Sequence, residues 1–422
     1  MLSKVDNDLL TQTNRGTPMG EYLRRYWHPV MMAEEVPEPD SPPKRVRVLG
    51  EDLVGYRDTN GDIGLIDNYC PHRRASMFFG RNEECGLRCV YHGWKFDKDG
   101  NCVDMPSEPA ESNFKDKVRI TAYPAREYGG LIWAYLGPVD KMPNLPELEW
   151  ARVPADQRIL SKRLQQSNYS QAVEGGIDSS HVSFLHTILE QDKQDDLAAS
   201  GVTLQEYMMA DKSPRFFVKD ADPGLLIAAR RNAGDTNYYW RITQFLLPYF
   251  TMIPGTPGYP IGGHCWVPID DENCCNYSVT WHPSRPFTED ELKFHLSGLG
   301  IHAEVDAQYR PVRNKSNDYV IDREIQRTKT FSGIRGIGEQ DMAVQESMGA
   351  IVERPREHLG SSDAAVIAMR RRLLKEARDL QEGIEPFAPS HSDSYKVRSA
   401  AVVLARDIPF HEGAQEELKS MP

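Results

Sequence analysis

Between residues 44 and 136 the apolar positions come in short bursts that alternate with polar ones or run together. The bursts are "KRVRVLG", "LVGYRD", "IGLIDNY" and "GGLIWAYLG", with "TNGD" and "DKDGN" as turn-forming interruptions. A period of two bounded by Asn, Asp and Gly predicts antiparallel hairpins, hence a compact all-β module over 44–137. The stretch 137–157 carries four prolines and reads as a connection to a second domain. "QQSNYSQAVEGGIDSSHVSFLH" then places apolar residues at helical spacing. Strand-like runs dominate 214–284: "RFFVKD", "GLLIAARR", "NYYWRITQFLLP", "GGHCWVPI" and "NYSVTWHP". Helical spacing returns at 288–298 and at 362–382, the latter opened by a Ser/Asp cap and closed by Gly383. The chain thus divides into an N-terminal helical segment, 1–43, packing on the second domain, the β module, 44–137, and that second domain, 138–422. The class is α+β: an antiparallel sheet wrapped by helices follows a small all-β unit.

Composition narrows the picture only a little. The 422 residues suffice for more than one core, and 40% hydrophobic with 27% charged residues is ordinary for a globular protein. A net charge of −12 argues against nucleic-acid binding, where cationic side chains must displace counterions from phosphates. A local cluster of arginines could still hold a small anion. No apolar run is long enough for a transmembrane helix, and the first residues lack the apolar stretch of a signal peptide. Seven cysteines, an odd number, point to reduced thiols or metal ligands and to a cytoplasmic location.

The cysteines carry the first chemistry. Cys70 and His72 form C-x-H in "NYCPHRRASM", and Cys89 and His92 form C-x-x-H in "LRCVYHGWKF". Each pair lies in a loop between predicted strands. Two thiolates and two neutral imidazoles could hold one tetrahedral zinc. They could equally hold a [2Fe-2S] cluster, sulfur ligands on one iron and nitrogen ligands on the other, with a reduction potential raised by the neutral histidines. Cys85 and Cys102 match no ligand position. The surroundings, C-P-H-R and then C-x-x-H-G-W, resemble the Rieske domain, in which Gly93 and Trp94 would bring backbone N–H groups and apolar cover to the sulfurs.

A second constellation follows in "EGGIDSSHVSFLH". His181 and His186 are five residues apart, about 140° on a straight helix, so a helix end or a π-type bulge is needed to turn both rings to one point. Asp178 precedes them, giving D-x2-H-x4-H. Together with "GEYLRRYWHPV" and "GGLIWAYLGP", the two motifs in this order resemble the Rieske non-haem iron oxygenases, specifically the oxygenase (alpha) subunits of the phthalate dioxygenase branch. The resemblance implies a helix-grip (START-like) second domain and an Fe(II) held by His181, His186 and one carboxylate, with coordination positions left for O2. The carboxylate is sought in "GEQDMAVQESMG": Asp341 first, Glu346 as the alternative. By resemblance Asp178 bridges the two metals, orienting His181 and a cluster histidine of a neighbouring subunit; as a bare helix N-cap it would need no such role.

The resemblance further implies an enzyme that consumes O2 and receives NADH-derived electrons from a separate flavin/iron–sulfur reductase, since this chain has no G-x-G-x-x-G dinucleotide motif. It implies a homotrimer or stacked-trimer hexamer, and an aromatic carboxylate as substrate, phthalate-like and converted to a cis-dihydrodiol, or an aryl ether that is O-demethylated or cleaved. Arg241, alone among aromatic and aliphatic residues, would fork onto a substrate carboxylate or pair with a protein acid. Arg215 is the second candidate and Ser179, with Ser180, could add hydrogen bonds. Arg230 and Arg231, taken to end a strand, are expected to face solvent.

Overall fold

The computed structural model describes residues 2–189 and 205–421. Two short helices, Lys4–Thr11 and Pro18–Leu23, open the chain; each begins at a hydroxyl cap, Ser3 accepting from Asp6 N and Thr17 from Gly20 N. Both helices pack on the later helix Ala364–Gln381. Beyond Leu23 the helical content of the segment 1–43 is a single 3-10 turn, Ala33–Glu35. Residues Trp27–Met32 form β1, entirely buried, because "WHPVMM" has no polar face to turn outward.

The hairpin pattern that follows is realised strand by strand. β2 (Lys44–Val48), β3 (Glu51–Arg57) and β4 (Ile63–Asp67) form a meander, and β5 (Arg81–Glu83), β6 (Gly86–Arg88), β7 (Lys95–Phe96) and β8 (Cys102–Asp104) form a second sheet. β9 (Ala125–Tyr128) and β10 (Leu131–Tyr135) close this region, with β10 pairing both β9 and β1. A small separate core that includes Val54, Ile66, Met77, Leu87, Trp94 and Phe96 underlies the loops bearing Cys70 and Cys89.

The second region is one antiparallel sheet. β11 (Arg158–Gln165), β12 (Arg215–Ala221), β13 (Gly224–Ala233), β14 (Asn237–Leu246), β15 (Phe250–Ile253), β16 (Ile261–Pro268) and β17 (Cys274–Trp281) assemble in the order 11-17-16-15-14-13-12. β14 is shared: Gln244–Leu246 pairs β15, while Asn237–Ile242 pairs β18 (Ala400–Ala405). The helices Tyr169–Ile177 and Ala364–Gln381 lie against this sheet and contribute to its core. The same core continues through β1 and β10. No helix among the described residues is long and apolar enough to cross a membrane.

Candidate metal centres and their cavity

The loop after β4 folds back on itself: Arg74 N donates to Cys70 O at 2.8 Å and Cys70 N to Ala75 O at 2.9 Å. The β6–β7 loop does the same, Gly93 N to Cys89 O at 3.0 Å and Cys89 N to Trp94 O at 2.8 Å. Gly93 has φ +76°, and a Cβ there would sit 2.8 Å from Pro106 Cγ, so both conformation and space require glycine. The two loops bring the motif halves together. The Cys70 and Cys89 thiols hydrogen-bond each other, and the His72 and His92 ring centroids are 4.4 Å apart. The Cys70 bond, with backbone N–H groups of Tyr91 and His92 aimed at the sulfur, pushes the Cys89 thiol down to about 6. Trp94 stacks on His72 at 4.4 Å.

Two observations test what this set fits. His72 Nδ1 is buried and has no hydrogen-bond partner, as expected of an atom reserved for a metal. No three of the four ligand atoms lie within 4.8 Å of one another. Ligands of a single zinc, each about 2.0–2.3 Å from the ion, would all fall inside that limit. The spread is too wide for one ion and fits a two-iron group with its sulfur ligands at one end and nitrogen ligands at the other. Cys85 is half-buried and Cys102 buried, its thiol directed to Asp104 O.

The second motif is solved by a helix end. The helix Tyr169–Ile177 stops at Asp178, which is extended (φ −79°, ψ 117°), and a single tight turn over His181–Ser183 follows. That break turns His181 and His186 towards each other, their Nε2 atoms 3.1 Å apart. Asp341, on the helix Ile337–Ser347, completes the set: its Oδ1 is 3.5 Å from His181 Nε2 and 3.3 Å from His186 Nε2. Two glycines near the end of the helix Tyr169–Ile177 bring it close to its neighbours. A Cβ on Gly175 would lie 2.3 Å from Gln345 Nε2, and one on Gly176 2.6 Å from Thr251 Oγ1.

Each imidazole is oriented from behind. His181 Nδ1 faces Asp178 Oδ2 at 3.3 Å and His186 Nδ1 faces Gln340 Oε1 at 2.7 Å, whose Nε2 is tied to Ile334 O. Both Nε2 atoms therefore point at the shared centre. Burial alone would raise the Asp341 carboxyl, yet the charge and hydrogen bond of His186, with His181 behind them, hold it down at about 2. Asp178 is likewise held below its ordinary value, its burial outweighed by the His181 hydrogen bond. Two imidazoles and one carboxylate converging on a point, with neighbouring space free, is the donor set of a non-haem Fe(II) centre.

Glu346 stands elsewhere. Its Oε1 accepts Gln166 N at 2.8 Å and its Oε2 accepts the Tyr319 hydroxyl at 2.5 Å, so it braces the helix. A cavity of about 720 Å3 opens over the centre and reaches β14, β16 and β17, where Arg241, His264 and Thr280 line it. His264 Nδ1 is held by Asn276 Oδ1 and Ser278 Oγ.

The arginines correct the sequence reading in two places. Arg215 is exposed and does not line the cavity; it lies opposite Arg230, on the outer face where Arg230 stacks over Tyr238. Arg231 does not face solvent: it is 1% exposed, because β13 continues to Ala233 and the alternation of a strand sends Arg231 inward where Arg230 goes outward. Its Nη2 donates to Ser179 O at 2.7 Å and its Nε to Asp211 O at 3.0 Å. Arg241, 6% exposed, donates from Nε to Ser179 Oγ at 3.2 Å and has no carboxylate within 4 Å among the described residues. Besides Arg231, the sequence reading missed Gln340 and His264. Gln340 sits next to Asp341, and an amide flanking a ligand was the available signal.

A small β unit with a Cys2His2 loop pair joined to a sheet holding a two-histidine-one-carboxylate centre defines a class: oxygenases fed electrons through an iron–sulfur cluster. Comparison with known proteins agrees. Residues 26–124 match the Rieske [2Fe-2S] domain model and residues 134–417 the LigXa C-terminal domain like model. The chain is 42% identical to the phthalate 4,5-dioxygenase oxygenase subunit of Pseudomonas putida, over 98% of this chain and 94% of that one. It is 36% identical to the 3-chlorobenzoate-3,4-dioxygenase oxygenase subunit of Comamonas testosteroni (99% and 98%), and 31% to the 5,5'-dehydrodivanillate O-demethylase oxygenase subunit of a Sphingobium (100% and 91%). Solved structures share the fold: NdmA of Pseudomonas putida CBB5 at TM-score 0.61 and 17% identity, covering 93% of this chain and 99% of that one. The terminal oxygenase of carbazole 1,9a-dioxygenase from Nocardioides aromaticivorans IC177 gives TM-score 0.56 at 16% identity, covering 90% and 100%. The protein belongs to the Rieske non-haem iron dioxygenases, as an oxygenase subunit of the branch that contains phthalate 4,5-dioxygenase. It accordingly uses a [2Fe-2S] cluster, non-haem iron and O2.

Proposed function

We propose that this chain hydroxylates an aromatic carboxylate of the phthalate type to a cis-dihydrodiol, with electrons supplied from NADH by a separate flavin/iron–sulfur reductase. In this reading Cys70, His72, Cys89 and His92 hold the cluster and His181, His186 and Asp341 hold Fe(II). The cluster would pass single electrons and the ferrous ion would activate O2; the chain's own residues do the rest. Asp178 and Gln340 fix both imidazole tautomers, and the helix break at Asp178 keeps one side of the centre open to the cavity. The observation that carries the substrate reading is Arg241, a buried guanidinium on the cavity wall whose only side-chain hydrogen bond among the described residues is to Ser179 Oγ. A buried charge without a protein carboxylate calls for an anionic ligand. Among the described residues Asp178 bonds only Ser180 and His181 of its own loop, and by resemblance its second partner is a cluster histidine from another copy in a trimer or hexamer. The seven unpaired cysteines accord with a cytoplasmic setting.

With a matching reductase, phthalate or one of its isomers is expected to drive O2-dependent NADH consumption and yield a product heavier by two oxygens and two hydrogens. Arg241→Ala then raises KM by about tenfold to a hundredfold, the loss of a hydrogen bond to a charged group. An unchanged KM removes Arg241 from substrate binding. The O-demethylase relative supports a second reading, aryl-ether cleavage, which the same assay separates by release of formaldehyde without a dihydrodiol.

A further inference from the structure

Ser179 has a peculiar set of neighbours. Its Oγ accepts from Arg231 Nη1 at 3.4 Å and from Arg241 Nε at 3.2 Å. A serine hydroxyl has two lone pairs and one proton. With both lone pairs directed at guanidinium N–H groups, the proton is the only thing left to offer. No acceptor for it is present among the described residues, and Ser179, 3% exposed, lines the cavity.

Arg231 stands directly behind this hydroxyl. Arg231 and Arg241 point to the same face of adjacent strands, since Ala229 is the residue opposite Arg241 and Tyr239 the one opposite Arg231. Arg231 also donates to Ser179 O at 2.7 Å and Ser183 Oγ at 3.3 Å, clamping the turn that holds His181. Neither guanidinium has a carboxylate within 4 Å among the described residues, although such buried cations are rarely left uncompensated. Burial, together with the charge of Arg241, pulls Arg231 down to about 10, which leaves it charged at neutral pH.

We infer that Arg231 is a positioning residue for an anion subsite: it fixes Ser179 as an obligate donor and adds a second positive charge behind it, so that the site selects a carboxylate over the neutral carboxamide. The inference rests on the aromatic-acid reading above. Arg231 itself does not touch the ligand; it acts through the Ser179 hydroxyl and through its field.

The test is equilibrium binding by calorimetry to the metal-loaded protein without reductant, using phthalate and its uncharged diamide as probes. Wild type is expected to prefer the acid. Arg231→Gln reduces that preference by about tenfold, leaving diamide affinity within about twofold, while Arg231→Lys, which keeps the charge, retains most of it. Ser179→Ala, which leaves the Arg231 bonds to Ser179 O and Asp211 O in place, also weakens the acid by about tenfold and serves if Arg231→Gln does not fold. Equal weakening of acid and diamide in Arg231→Gln, or wild-type acid affinity in Ser179→Ala, overturns the inference while the aromatic-acid reading stands. A wild type that binds acid and diamide alike overturns both.

Discussion

The two metal centres are built in opposite ways. The candidate cluster ligands come from two short motifs on neighbouring hairpins, within a core of their own that includes Leu87, Trp94 and Phe96. The candidate iron centre draws His181 and His186 from a broken helix and Asp341 from a helix more than 150 residues later, and its supports come from both. The first is local chemistry on a small scaffold, the second a product of tertiary packing. One consequence is separability: damage to either centre should leave the other intact.

The largest effects test that separability. Asp341→Ala should abolish turnover and lower iron from about three to about two per chain, with the cluster spectrum unchanged. Cys70→Ser should do the reverse, bleaching the cluster and retaining the mononuclear iron. If either variant strips both centres, the comparison fails. Asp178→Asn, which replaces the carboxylate facing His181 Nδ1, should keep both metals while turnover falls by about a hundredfold, as for other residues that orient metal-bound histidines. Gln340→Leu, which frees His186 Nδ1, should weaken iron binding by about tenfold in a chelator competition and leave the cluster untouched. The smallest effect belongs to Glu346→Gln: iron content should stay at wild type while stability drops by about 1 kcal/mol in denaturant unfolding. Loss of iron in that variant would mean that Glu346, and not Asp341, faces the metal.

The same contrast explains what was legible in the sequence. The hairpin turns and the spacing of Cys70, His72, Cys89 and His92 are local, so pattern alone pointed to two loops that the fold brings together. His181 and His186 were legible as a pair, but the five-residue spacing could not say how they converge; the structure resolves it by ending the helix at Ile177. Asp341 and Glu346 lie five apart on one helix, and only packing separates them, Glu346 turning to Tyr319 and Asp341 to the histidines. The misreadings were of strand length and parity. Ending a strand two residues early put Arg231 in solvent, when the extra pair places it inward beside Arg241. Arg215 failed for the same reason in reverse: its face of the sheet is the outer one. Residues 1–43 looked helical because their first half is, and the uninterrupted apolar run of β1 gave no period of two to mark a strand.

The central claim is that one chain holds a two-iron cluster with unlike ends and a separate ferrous ion. Mössbauer spectroscopy of reduced protein grown on isotopically enriched iron tests it directly. The account predicts cluster and mononuclear iron in a ratio of about two to one, with the two cluster irons inequivalent because one carries thiolates and the other imidazoles. Protein that contains zinc in place of the cluster, or a single uniform iron species, would contradict it.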